Sequence, residues 1–139
     1  MKNKFFIIST LIVIFIISAC NSKYPIDLGK GYKLDYDGNS YFYIIDLKNT
    51  VIVHAHVTKY GFNEQYILVE QKPRDGILRN THDVSFEQEK KIIEKSTFRQ
   101  YWIINKTNDS IYGPLKKEEY LKKSEELRLP ENLVLEKNN

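Results

Sequence analysis

Residues 31–46 read Gly31-Tyr32-Lys33-Leu34-Asp35-Tyr36-Asp37-Gly38-Asn39-Ser40-Tyr41-Phe42-Tyr43-Ile44-Ile45-Asp46. Two aromatic-rich runs, 31–36 and 40–46, flank Asp37-Gly38-Asn39. Gly and Asn accept positive φ, so the divide predicts the turn of a β-hairpin. In the second run Tyr41, Tyr43 and Ile45 share one face, and Phe42, Ile44 and Asp46 share the other.

Working outward, residues 47–50 read as a turn and residues 51–60 as one further strand. In that strand Val51, Val53, Ala55 and Val57 point one way while Ile52, His54, His56 and Thr58 point the other, the alternation of a sheet with one buried face. After a turn at 61–65, residues 66–71 form a strand that Pro73 stops. Pro73-Arg74-Asp75-Gly76 is turn chemistry, and the chain to Asp83 reads as an exposed loop. Ser85 and Gln88 stand three apart, the spacing of a capping box; they open a short helix through Lys95, or else the stretch is a solvated insert. Residues 99–105 and 111–113 make a second hairpin around a polar turn at 106–110. Pro114 is placed to open a helix running to about Leu127, with Glu118–Lys122 and Glu119–Lys123 as i,i+4 pairs and Tyr120, Leu121 and Leu127 as core contacts. Pro130 ends it. The expected fold is α+β: an antiparallel β-meander sheet with a C-terminal helix packed on it.

The N-terminal segment has a different character. Lys2 and Lys4 precede a run from Phe5 to Ile17 that is apolar except for Ser9 and Thr10, and the run ends at Ser18-Ala19-Cys20. Basic, apolar and small residues in that order form an export signal. As a helix the run would reach roughly 20 Å, short of the roughly 30 Å of a bilayer core. Ile17-Ser18-Ala19-Cys20 resembles the bacterial lipobox, with Ile in place of the usual Leu. That resemblance implies a diacylglycerol thioether on Cys20, cleavage before it and, in many bacteria, acylation of the new amine. Cys20 is the one cysteine of the chain, so no intramolecular disulfide explains it. Several acyl chains on one residue anchor stably where a single chain would not. The expected organisation is a signal peptide at 1–19, a lipidated tether at 20–24 and one domain at 25–139, at the exported face of a cell membrane or outer membrane.

Loss of Lys2 and Lys4 leaves 19 Lys and Arg against 18 Asp and Glu. A charge so near balance gives no clustered cation field, which argues against nucleic acid as a partner. The 139 residues suit one domain.

Residues 101–106 (Tyr-Trp-Ile-Ile-Asn-Lys) and 111–115 (Ile-Tyr-Gly-Pro-Leu), with Ile26-Asp27-Leu28-Gly29-Lys30-Gly31-Tyr32 upstream, resemble small bacterial lipoproteins grouped as DUF3997, a domain of unknown function. The matching pieces cover about half the mature chain, and the charged stretch 73–98 departs from the pattern by its length. The resemblance implies an envelope address and carries no functional residues to transfer.

Two groups of side chains stand out. His54 and His56 have the i,i+2 spacing of metal ligands on a strand, with His82 or a carboxylate as a third, but two histidines on a solvated face need no metal. Tyr41, Tyr43 and Tyr60 are the rings to test for exposure, since aromatics on a sheet can stack on sugars or a protein partner as well as pack a core. There is no nucleophile elbow, phosphate-cradling loop or paired acid frame, so neither an enzyme nor a cofactor is expected. The reading is a non-enzymatic binding or interaction module for an envelope component. The alternative is a protective protein, an immunity factor against a toxin or an inhibitor of a cell-wall hydrolase. Metabolic labelling with a radioactive fatty acid is expected to mark the wild-type protein and to leave Cys20→Ala unlabelled; equal labelling of both would refute lipidation at this residue.

Overall fold

The computed structural model describes residues 23–39 and 41–138, so the signal segment and Cys20 lie outside the described residues. Its strands are β1 (Ile26–Gly29), β2 (Tyr32–Tyr36), β3 (Phe42–Ile45), β4 (Val51–Val53), β5 (Val57–Phe62), β6 (Tyr66–Gln71), β7 (Gln100–Asn105), β8 (Ser110–Leu115) and β9 (Glu136–Lys137). Its helices are α1 (Arg74–Leu78), α2 (Phe86–Lys95) and α3 (Lys117–Glu126). The expected α+β class and antiparallel meander are present, and the meander is divided between two sheets. One has the order β1-β2-β3-β4 and the other β8-β7-β6-β5-β9. No helix among the described residues is long and apolar enough to cross a membrane.

The hairpin around residue 38 forms as read: Tyr36 pairs with Phe42 and Leu34 with Ile44. Asp37 makes the turn, its Oδ1 accepting from the backbone N–H of Asn39 at 2.8 Å and of Tyr41 at 3.2 Å. The supposed strand 51–60, by contrast, is two strands in two sheets. Val53 pairs with Ile44 in the first sheet, whereas Val57 pairs with Gln71 in the second. Both valines are buried in one apolar layer with Leu28, Tyr32, Leu34 and Ile44 on one side and Ile67, Val69 and Ile104 on the other. Two sheets facing each other across that layer require the chain to change sheets between the valines, and the alternation of residues cannot reveal the step.

The second sheet has another covered face. Tyr66, Leu68 and Ile103 pack beneath Tyr112, Tyr120, Leu127, Leu129, Leu133 and Leu135. Strand β6 is thus buried on both faces, which accounts for its unbroken apolar run Tyr66-Ile67-Leu68-Val69. Leu121, expected in this core, is instead 51% exposed. Pro114 opens no helix, because β8 continues through it to Leu115. The expected pairing of Glu119 with Lys123 is replaced: Glu119 turns back to accept from the Lys116 N–H at 2.8 Å, satisfying an orphan donor of the first turn, and Lys123 pairs with Glu126. Gly113 admits the ring of Trp102, since a Cβ there would stand 2.4 Å from Trp102 Cε3.

Residues 73–98 are ordered by three devices. The capping box at Ser85 and Gln88 is made, with Ser85 N–H donating to Gln88 Oε1 at 2.8 Å. Arg74 then grips Glu89 through two guanidinium nitrogens at 3.2 and 2.5 Å, tying α1 to α2. Lys72 donates to the carbonyls of Ile93 and Glu94, placing a cation at the C-terminal end of α2 where the helix dipole favours it.

Lys106 fastens the sheets together. It is 4% exposed, and its Nζ donates to the Leu28 carbonyl in β1 and to the Asn63 carbonyl in the β5–β6 turn. Burial pulls its pKa below the ordinary lysine value. Lys106→Ala leaves both carbonyls without that donor, and each such loss costs about 1–3 kcal/mol where no water reaches. Chemical denaturation should therefore find Lys106→Ala less stable by about 2–4 kcal/mol, while Lys30→Ala on the exposed neighbouring turn stays within about 0.5 kcal/mol.

Candidate functional site

Residues 54–56 carry the chain from one sheet to the other, and the Ala55–His56 peptide is cis. The two histidines do not share a face. His54 is exposed and borders an open cavity of about 330 Å³ with Gln71, Arg74 and Trp102. There Gln71 bridges, donating from Nε2 to the His54 carbonyl at 2.6 Å and accepting from Trp102 Nε1 at 2.8 Å. His56 is only 7% exposed and faces a different cavity of about 240 Å³. His82 is exposed in the segment between α1 and α2. No group of three or more His, Cys, Asp or Glu among the described residues is arranged to hold a metal.

The smaller cavity brings together residues from both sheets and from α2. Tyr41 and Phe42 come from the first hairpin, His56, Val57 and Thr58 from the crossover, and Lys90, Ile93 and Glu94 from the helix. Asn138 closes it from the strand-like segment beside β5, its Nδ2 donating to the Val57 carbonyl at 2.7 Å. The rings of Tyr41 and His56 meet edge to face with centroids 3.7 Å apart. Phe86 stands beyond, 6.0 Å from Tyr41 and 49% exposed.

Two side-chain atoms of residues that line this cavity, His56 Nε2 and Asn138 Oδ1, are shut off from solvent and have no hydrogen-bond partner. An unmet buried polar group costs about 1–3 kcal/mol. Burial also disfavours the charged imidazole, and with Arg74 and Lys72 nearby it outweighs the opposing pull of Asp37 and Glu89, lowering the His56 pKa to about 4. At neutral pH the His56 ring is therefore uncharged, beside walls of Phe42, Val57 and Ile93.

The three tyrosines singled out from sequence are not gathered in one place. Tyr41 belongs to this cavity. Tyr43, half-buried, donates to Asp35 Oδ2 at 3.2 Å. Tyr60 stacks on Phe62 at 6.2 Å and borders a separate cleft with Lys23 and Val134. Burial raises the pKa of all three. Asn138 had no signal in the sequence, since its part depends on a terminal segment returning to β5.

Fold and site together define a small three-layer α+β domain, sheet on sheet on helix, with shallow cavities at the sheet crossover. Residues 46–139 match the family model described as a protein of unknown function (DUF3997), and the chain belongs to that family. The match contains the Tyr101–Leu115 hairpin and begins beyond the Ile26–Tyr32 segment. No curated protein and no solved structure matches the chain.

The low pKa of His56 has a consequence for stability. The unfolded chain takes up a proton near pH 6.5, whereas the folded protein resists until about pH 4. The contribution is thus fully present above pH 6.5 and is lost as pH falls toward 4, up to about 3 kcal/mol in all. Denaturation at a series of pH values should show His56→Gln losing less stability than wild type over that interval; parallel curves would mean that His56 is accessible to protons.

Proposed function

We propose that this chain is a lipoprotein of the bacterial cell envelope, held by lipid on Cys20, and that its domain is a non-enzymatic module that binds another envelope component. The export-signal layout and the lone cysteine of Ile17-Ser18-Ala19-Cys20 support the address. The observation that carries the binding role is the cavity where Tyr41, Phe42 and His56 meet Val57 and Ile93, with the half-exposed Phe86 ring beside it. A neutral histidine with its ring held against Tyr41 suits recognition by contact. Tethering adds to this by confining the module to a surface layer and raising its effective concentration for anything there.

The protein extracted from its own membranes in mild detergent is expected to carry a bound component in native mass spectrometry. That component should be lost in a Tyr41→Ala, His56→Gln double variant that retains its fold. Wild-type protein found bare in repeated preparations would contradict the binding role.

A further inference from the structure

Resting on the proposed lipid at Cys20, we infer that the cleft of Lys23, Phe62 and Val134 is the face that the domain lays on the lipid bilayer. The domain is then held in one orientation and does not swing freely on its tether. The covalent chain sets the first constraint. Three residue steps separate Cys20 from Lys23, and a chain covers at most about 3.6 Å per step, so Lys23 stays within roughly 11 Å of the lipidated residue. The headgroup layer of one leaflet is itself roughly 5–7 Å deep. Whatever borders Lys23 is therefore the part of the domain that meets the bilayer first.

What borders Lys23 is apolar and open. It lines one cleft with Tyr60, Gly61, Phe62 and Val134, in which Phe62 is 42% and Val134 52% exposed. The two apolar residues meet because the segment after Pro130 runs back over β5. Gly61 permits the approach, since a Cβ there would stand 2.0 Å from the Val134 carbonyl oxygen. Among the charged groups of the lining, Lys23 and Lys137 outnumber Glu136, a balance that favours anionic headgroups. Lysines with long apolar stems, and a tyrosine, are side chains that settle at a bilayer boundary. Two exposed apolar residues are too few to hold a free protein on a membrane. A face tethered within about 11 Å of it, however, acts at an effective concentration of millimolar order. The lipid supplies the affinity and the cleft supplies the orientation.

The test is NMR of the mature protein, purified from its own membranes with its lipid verified by mass, in nanodiscs of phosphatidylethanolamine and phosphatidylglycerol. Lipids carrying a nitroxide at carbon 5 of an acyl chain broaden the signals of groups that enter the bilayer boundary. Ile111 is the control: it is 42% exposed, as Phe62 is, but lies on β8, three strands from β5 and so about 14 Å away at 4.8 Å per strand. The Val134 methyl and Phe62 ring signals are expected to broaden at least threefold more than the Ile111 methyls. In a Phe62→Ser, Val134→Ser double variant, whose amide spectrum reports its fold, the Gly61 and Asn132 amides should lose their excess broadening while the lipid stays attached. Equal broadening of Val134 and Ile111 in the wild type would overturn the proposal in favour of a freely swinging domain. Cleft amides shielded from hydrogen exchange without broadening would overturn it in favour of a protein on this face. In both cases a lipidated Cys20 leaves the address standing and only the orientation falls; a protein without lipid would sink the two together.

Discussion

Val53 and Val57 stand four residues apart in sequence and are both buried in the layer between two sheets, each in a different sheet. Burial of such a side chain stabilises by about 1.5–3 kcal/mol, so holding both is worth more than the ladder of one continuous strand across three residues. His54, Ala55 and His56 are what remains to make the crossing. It turns His54 out toward solvent and His56 inward, and it leaves a cavity on each. The unmet His56 nitrogen is a cost of roughly the same size as one valine's burial, which the packed layer can offset. Lys106 secures the same arrangement from elsewhere, since its two carbonyl partners belong to the two halves that the crossover joins.

Features set by local chemistry were legible in the sequence. The Asp37-Gly38-Asn39 turn, the Ser85–Gln88 capping box and the Tyr101–Leu115 hairpin all depend on residues within a few positions of one another, and all are present. The crossover was not legible, because a period of two continues through a change of sheet without losing step: Val53 and Val57 keep their phase whether or not the chain bends between them. Pro114 reads equally as the first residue of a helix or a late residue of an edge strand, and the register of β8 against β7 decided for the strand. Lys106 and Asn138 gain their roles only when segments more than 40 and 80 residues distant arrive beside them.

The candidate site has the same origin. His54 and His56 suggested a shared metal because a regular strand would have put them side by side. Separating them gives two unlike environments: His54 is exposed beside Gln71 and Trp102, and His56 is buried with its ring uncharged at neutral pH. The proposed binding role falls on the second, where the rings of Tyr41 and Phe86 stand beside His56. The proposed lipid on Cys20 would decide where that site meets its ligand.

The most direct measurement is a high-resolution crystal structure of the protein purified from its own membranes without exchange of bound molecules. Connected density for one bound component is expected in the cavity of Tyr41, Phe42 and His56. A cavity closed by the protein's own side chains, or holding only separate waters, would contradict it.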